Sequence, residues 1–262
     1  MPNLTVNNAN FYYELHGTGH PLILIAGYTC DHQLWTPLIN DLSKRYQVFI
    51  FDNRAVGQTK DDEKILSAEL MAEDVMALAA KLDLKKPHIV GQSMGGTIAQ
   101  VIASQYPDQI GKLGILTSSA KWRRAMLDGL KSILVMREKD IDFDIIFNSL
   151  LPWCFGEKFL QDKENIAAFK SLTLSNPYLQ SVQDQARQFE VLETFDVRSY
   201  LKQIRTPTLI VHGIEDVITL LHESEMMAEH IQDSRLVKVD CAHCIVVEAP
   251  RQLSQLLIDF LD

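Results

Sequence analysis

A serine with glycines two residues to either side stands near the middle of the chain, in Gly91-Gln92-Ser93-Met94-Gly95. A serine hydroxyl is a weak nucleophile. It needs a base within hydrogen-bond reach, and the base needs an acid to orient it. The chain has eight histidines, at 16, 20, 32, 88, 212, 222, 230 and 243. Only His212 and His243 lie at or just past the end of a late apolar run. His212 directly precedes Gly213 and reads as a packed residue aligned with its strand. His243 falls in a loop after the final run and is free to reach Ser93, so it is the expected base. Asp216 is the expected acid. Glu215 beside it is expected to face solvent, and Asp240 lies too near His243 in sequence to swing beneath it.

Attack on a carbonyl builds negative charge on its oxygen, and backbone N–H groups aimed at that oxygen stabilise it. Two amides are placed to supply them: that of Met94, directly after the nucleophile, and that of Tyr28, in the loop after Leu22–Ala26. Gly27 lets this second loop approach closely.

These residues need elements to position them. His88–Val90 is a short apolar run of strand type, and from Met94 to Tyr106 the apolar pattern turns helical. Strand, tight turn and helix together present the serine on a sharp bend. Before it come short strands at 4–6 and 11–15, a central strand at Leu22–Ala26, a helix around Gln33–Leu42, a strand at Val48–Phe51 and an amphipathic helix over Leu66–Leu82. Leu113–Leu116 is a further strand. From about Lys121 to Gln188 the alternation stops, and three or four short helices rich in large apolar residues are expected. Candidates to line a substrate pocket are Gly27 and, from this stretch, Trp122, Phe143, Phe147 and Trp153. Afterwards come a helix in Phe189–Ile204, a strand at Thr208–Val211, a helix over Leu220–Ile231, a strand at Leu236–Val239 and a last helix from Pro250 to Leu261. The expected division is a core of 1–120 and 189–262 with a helical cap of 121–188. Alternating strands and helices give a mostly parallel sheet with ligands at its carboxyl edge.

Composition narrows the function. A net charge of −9 argues against nucleic acid and anionic membrane surfaces as partners. No apolar run is long enough to span a bilayer and no secretory leader is evident, so a cytoplasmic location is expected. Cys241-Ala242-His243-Cys244 has the look of half a zinc site. Cys30 and Cys154 make no second pair in sequence, so all four cysteines are expected as free thiols with no metal.

Over essentially its whole length the chain resembles the α/β-hydrolase superfamily, and within it the small, lid-bearing carboxylesterases, 3-oxoadipate enol-lactonases, cofactor-free haloperoxidases and pimeloyl-carrier-protein methyl esterases. The resemblance rests on G-x-S-x-G-G at Gly91–Gly96, G-x-x-D at Gly213–Asp216, and His243 followed by Glu248-Ala249-Pro250. It also rests on the loop Asp52-Asn53-Arg54-Ala55-Val56-Gly57-Gln58-Thr59, which is structural in most members. Two positions depart. Ala26-Gly27 stands for the usual His-Gly, and Ala55 replaces a usual glycine, suggesting a slightly different turn. The resemblance implies an eight-stranded, mostly parallel sheet and no metal or organic cofactor. It implies attack by Ser93 on an ester, thioester or lactone, with His243 moving the proton, Asp216 holding the imidazole, and water cleaving the acyl-enzyme. Related epoxide hydrolases and haloalkane dehalogenases carry Asp at the nucleophile position, so Ser93 argues against both. The alternatives on the same scaffold are a non-hydrolytic lyase or haloperoxidase and a ligand receptor with slow turnover. The expected partner is a small-molecule ester, with the chain a monomer or weak homodimer.

Overall fold

Asn7 and Asn8 both adopt left-handed backbone (φ 45° and 60°), the conformation a two-residue hairpin needs, and they join the first two strands of the computed structural model. The structure describes residues 2–262. In chain order the elements are β1 (Asn3–Val6), β2 (Ala9–His16), β3 (His20–Ile25), α1 (Thr36–Leu42), β4 (Tyr46–Phe51), α2 (Ala68–Lys81), β5 (His88–Gln92), α3 (Met94–Gln105), β6 (Leu113–Leu116), α4 (Arg124–Glu138), α5 (Phe143–Cys154), α6 (Glu157–Leu160), α7 (Lys163–Ser175), α8 (Val182–Thr194), β7 (Thr208–Gly213), α9 (Leu221–His230), β8 (Ser234–Val239), α10 (Ile245–Glu248) and α11 (Pro250–Leu261).

The strands form one eight-stranded sheet in the order β1-β2-β4-β3-β5-β6-β7-β8. The β1–β2 and β2–β4 pairs are antiparallel, and every pairing from β4 to β8 is parallel. Both faces of the central strands are covered, which explains why β3 reads as an unbroken apolar run. Ile23 and Ile25 face a core shared with α2 and α3, while Leu22 and Leu24 face a second core shared with α1 and α11. In α11 the buried Leu253, Leu257 and Leu261 recur at four-residue spacing and form its core stripe. The chain steps from β3 to β4 on one side and then crosses back past β3 to β5 on the other, so the carboxyl ends of β3 and β5 flank the crevice where ligands bind in such sheets.

Between β6 and β7 the chain forms five α-helices, α4 to α8, followed by a 3₁₀ helix at Arg198–Gln203. The boundary expected at 188 falls inside α8. That helix runs on to Thr194 because its inner side is core: Gln188, Phe189, Val191 and Leu192 are buried. The Gln188 amide spans two loops, donating to the Arg54 carbonyl (2.8 Å) and accepting from the Thr29 N–H (3.0 Å). Outermost lies α7, which buries none of its residues. Ala55 takes φ 62°, so the turn adopts the conformation suited to glycine and the alanine carries the strain. Nearby, Arg54 is fully buried and grips Asp74 with two donors (2.5 and 2.9 Å), tying this loop to α2. Among the described residues no helix is long and apolar enough to cross a membrane.

Candidate active site

Ser93 sits on the bend between β5 and α3 with φ 55° and ψ −120°, a strained combination for a residue with a side chain. The bend is held on both sides: the Ser93 N–H donates to the Leu116 carbonyl (2.9 Å), and the Ser118 hydroxyl donates to the Ser93 carbonyl (2.7 Å). Close approach makes Gly95 obligatory, because a Cβ there would lie 1.9 Å from the Ile25 carbonyl oxygen. The Ser93 side chain does not cap α3, which leaves its hydroxyl for other work.

That hydroxyl meets His243, with Oγ 2.9 Å from Nε2. The other ring nitrogen, Nδ1, lies 2.9 Å from Asp216 Oδ2. An ionised carboxylate only accepts, so Nδ1 carries the proton and Nε2 is the lone pair facing serine. All three residues are buried. Asp216 is fixed from its far side by the Ile218 and Thr219 N–H groups (2.8 and 2.9 Å to Oδ1) and the Thr219 hydroxyl (2.6 Å to Oδ2). Burial would raise the Asp216 pKa, but His243 and the Thr219 donors outweigh it and hold the carboxyl below its ordinary value. For His243, burial works against the charged ring, yet the Asp216 carboxylate prevails and leaves its pKa above the ordinary value.

The His243 loop is anchored by groups not singled out from sequence. Its own carbonyl accepts from Gln92 Nε2 (3.1 Å), at the end of β5, and the Thr117 hydroxyl (2.9 Å), just after β6. Ala242 donates to Glu248 Oε1 (3.0 Å), while Glu248 Oε2 accepts from the Gly156 N–H (2.8 Å) at the entry to α6. Glu248 was visible beforehand only as the acid of an acidic-x-Pro sequence. Glu215 is exposed as expected, yet its carboxylate also accepts from the Glu157 N–H (2.9 Å). The two acids thus bind the cap to the loops carrying Asp216 and His243.

The expected oxyanion donors come from loops that do approach each other. A Cβ on Gly27 would lie 3.2 Å from Ser93 Cβ, so the loop that carries Tyr28 passes directly beside Ser93. Met94 opens α3, where the first amides are free of intrahelical partners.

The other expected pocket residues divide. Trp122 is a core residue: its indole N–H donates to Thr97 Oγ1 (3.1 Å) on α3 and the side chain is buried. Phe143 and Phe147 pack with Phe155, Phe159 and Phe169 into an aromatic core of the cap, which Cys244 and Val247 touch from the His243 side. Trp153 covers Gly129 and lines, with Met126 and Val217, a groove of about 290 Å³ next to the Asp216 loop. His212 is packed as expected, with Nδ1 on Ser224 Oγ (3.1 Å), and burial pushes its pKa down. Asp31, His32 and Asp52 bring ligand-type atoms within 4.8 Å of one another. Those atoms are already engaged, Asp52 by His32 Nδ1 (2.6 Å) and the Gln58 N–H (2.7 Å), Asp31 by Gln33 and Asn176, so the group fits a structural ion pair better than a metal.

Residues 20–250 match the model of the alpha/beta hydrolase fold family, and the chain belongs to that family. It is 28% identical to 3-oxoadipate enol-lactonase 1 of Acinetobacter baylyi, over 88% of this chain and 84% of that one. It is 27% identical to a protein of Azorhizobium caulinodans provisionally named carbamate hydrolase RutD, over 99% and 98% of the two chains. Among solved structures it is similar to MGS-M2, an alpha/beta hydrolase enzyme from a Medee basin deep-sea metagenome library, with a TM-score of 0.91 and 24% identity over 99% of this chain and 96% of that one. The family and relatives named as hydrolase, lactonase and esterase support an enzyme.

Proposed function

We propose that the chain is a serine hydrolase that cleaves a carboxylic ester, thioester or lactone of a small to medium acyl group. The observation that carries this reading is the unbroken relay from Ser93 Oγ through His243 to Asp216, with both hydrogen bonds at 2.9 Å. Ser93 attacks the carbonyl carbon while His243 Nε2 takes its proton. The tetrahedral oxyanion lies against the Tyr28 and Met94 N–H groups, each contributing about 10²–10³-fold. His243 returns the proton to the leaving alcohol, which departs and leaves the acyl-serine. Water then enters by the same route in reverse, with His243 as its base. The helices over the site act as a lid, and the phenylalanine cluster beside Cys244 favours apolar acyl chains.

Hydrolysis of p-nitrophenyl esters of increasing chain length tests this. The wild type is expected to turn these esters over with a rate that changes along the series, and Ser93→Ala to lose about 10⁴-fold or more. Absence of turnover by folded wild type on every ester overturns the reading. Equal rates from acetyl to octanoyl overturn the apolar preference alone.

A further inference from the structure

Two of the four cysteines meet beside His243, although they are far apart in sequence. Cys154 ends α5 of the cap, Cys244 directly follows His243, and Cys30 lies just past the Tyr28 loop. The Cys244 N–H donates to the Cys154 carbonyl (2.9 Å), so the two backbones touch. Both side chains are only partly buried and pack against the same aromatic cluster. A disulfide needs Cα atoms about 4.4–6.8 Å apart, and a direct backbone hydrogen bond brings the two residues into that neighbourhood. The acyl-transfer chemistry proposed above uses neither thiol.

We propose that Cys154 and Cys244 form a dithiol oxidation site, at which hydrogen peroxide closes a disulfide between the cap and the loop that carries His243. The Cys244 side chain beside it, with His243 close by, pulls the Cys154 thiol below its ordinary value against the effect of burial. The Cys154 side chain and burial hold the Cys244 thiol well above its ordinary value. In this proposal Cys154 is the attacking thiolate and Cys244 the resolving thiol. Cys154 sulfur attacks one peroxide oxygen, the O–O bond breaks, and the first water leaves, giving a sulfenic acid. Cys244 sulfur displaces the hydroxyl from that sulfur as the second water. Two thiols are oxidised by two electrons and one peroxide is reduced to two waters. Burial pushes the Cys30 thiol up to about 12, which keeps it protonated and slow to react. Closing the bond draws the two sulfurs to about 2.05 Å and shifts the residue next to His243. A misplacement of about 1 Å at a catalytic group costs up to about 10²-fold in rate. The disulfide therefore lowers ester turnover, and this consequence rests on the serine-hydrolase reading.

The test is treatment of the full chain with hydrogen peroxide, followed by intact mass, peptide mapping and hydrolysis of p-nitrophenyl acetate. The expected result is a loss of about 2 Da, the two thiol hydrogens, and a peptide pair linked through Cys154 and Cys244. Turnover should fall about tenfold or more in parallel, and dithiothreitol should reverse both changes. Cys154→Ser and Cys244→Ser should each abolish the link and the peroxide sensitivity, and Cys30→Ser should leave both. Sulfinic or sulfonic acids without a link, a link through Cys30, or a link that leaves turnover unchanged each overturn the proposal. The link is read by mass whether or not esters are cleaved, so a failure of the serine-hydrolase reading shows in the untreated protein and a failure here in the treated one.

Discussion

In the proposed mechanism His243 must be neutral to take a proton from Ser93, so the pH response is set at one ring. Its pKa is held above the ordinary 6.5 by Asp216, in opposition to burial. Activity therefore falls as pH drops through that raised value, because protonation removes the base. A kcat/KM profile is expected to rise along one limb with its midpoint above 6.5. Asp216→Asn should move that midpoint to lower pH and cost about 10⁴-fold in kcat, since an amide in that place favours the wrong imidazole tautomer. A midpoint that Asp216→Asn leaves in place would contradict the role given to this carboxylate. The three residues could be picked out beforehand because each follows the carboxyl end of a strand, and parallel strands bring such ends together. The groups that fix them could not. Gln92, Thr117 and Glu248 act through hydrogen bonds to backbone atoms of distant loops, and that geometry leaves no local pattern.

At the scale of elements, the bend between β5 and α3 depends on backbones touching. Gly95 faces the end of β3, with the Ile25 and Ala26 carbonyl oxygens 1.9 and 2.8 Å from where a Cβ would stand. Neither carbonyl can rotate away as a side chain would. Gly95→Ala should therefore cost about 1–3 kcal/mol, the range for forcing atoms into packed structure, and should displace the Tyr28 loop that β3 leads into. Denaturant unfolding measures the first effect and ester turnover the second, and an alanine variant of unchanged stability would contradict the contact. Strands were legible as apolar runs and most boundaries followed them. The exceptions have physical causes. The end of the cap was blurred because α8 is amphipathic throughout, with no breaker at 188. The short α10 was missed because its four residues show no period. Trp122 read as a pocket residue by its size and apolarity, but its indole N–H has a partner in Thr97, which fixes it in the core.

Across the whole molecule, the cap meets the core at a junction held by two acids. Glu248 is half-buried and takes the Gly156 and Ala242 N–H groups, whereas exposed Glu215 takes only that of Glu157. Their unequal burial predicts unequal effects. Glu248→Ala leaves two part-buried donors unpaired and should cost about 1–3 kcal/mol. Glu215→Ala exposes its donor to water and should cost less than about 1 kcal/mol. Hydrogen exchange at 156–160 should rise first in the Glu248 variant, and equal effects would contradict this account of the junction.

The claim on which the rest depends is that Ser93 is the nucleophile. Reaction with diisopropyl fluorophosphate tests it most directly, because the reagent becomes a stable covalent adduct only on a serine activated by its own base. The account predicts one adduct per chain, mapped to Ser93, with loss of ester turnover in proportion to labelling. It also predicts no adduct on Ser93→Ala and greatly slowed labelling of His243→Ala. An unlabelled wild type that still cleaves esters, or inactivation with the adduct on another residue, would contradict it.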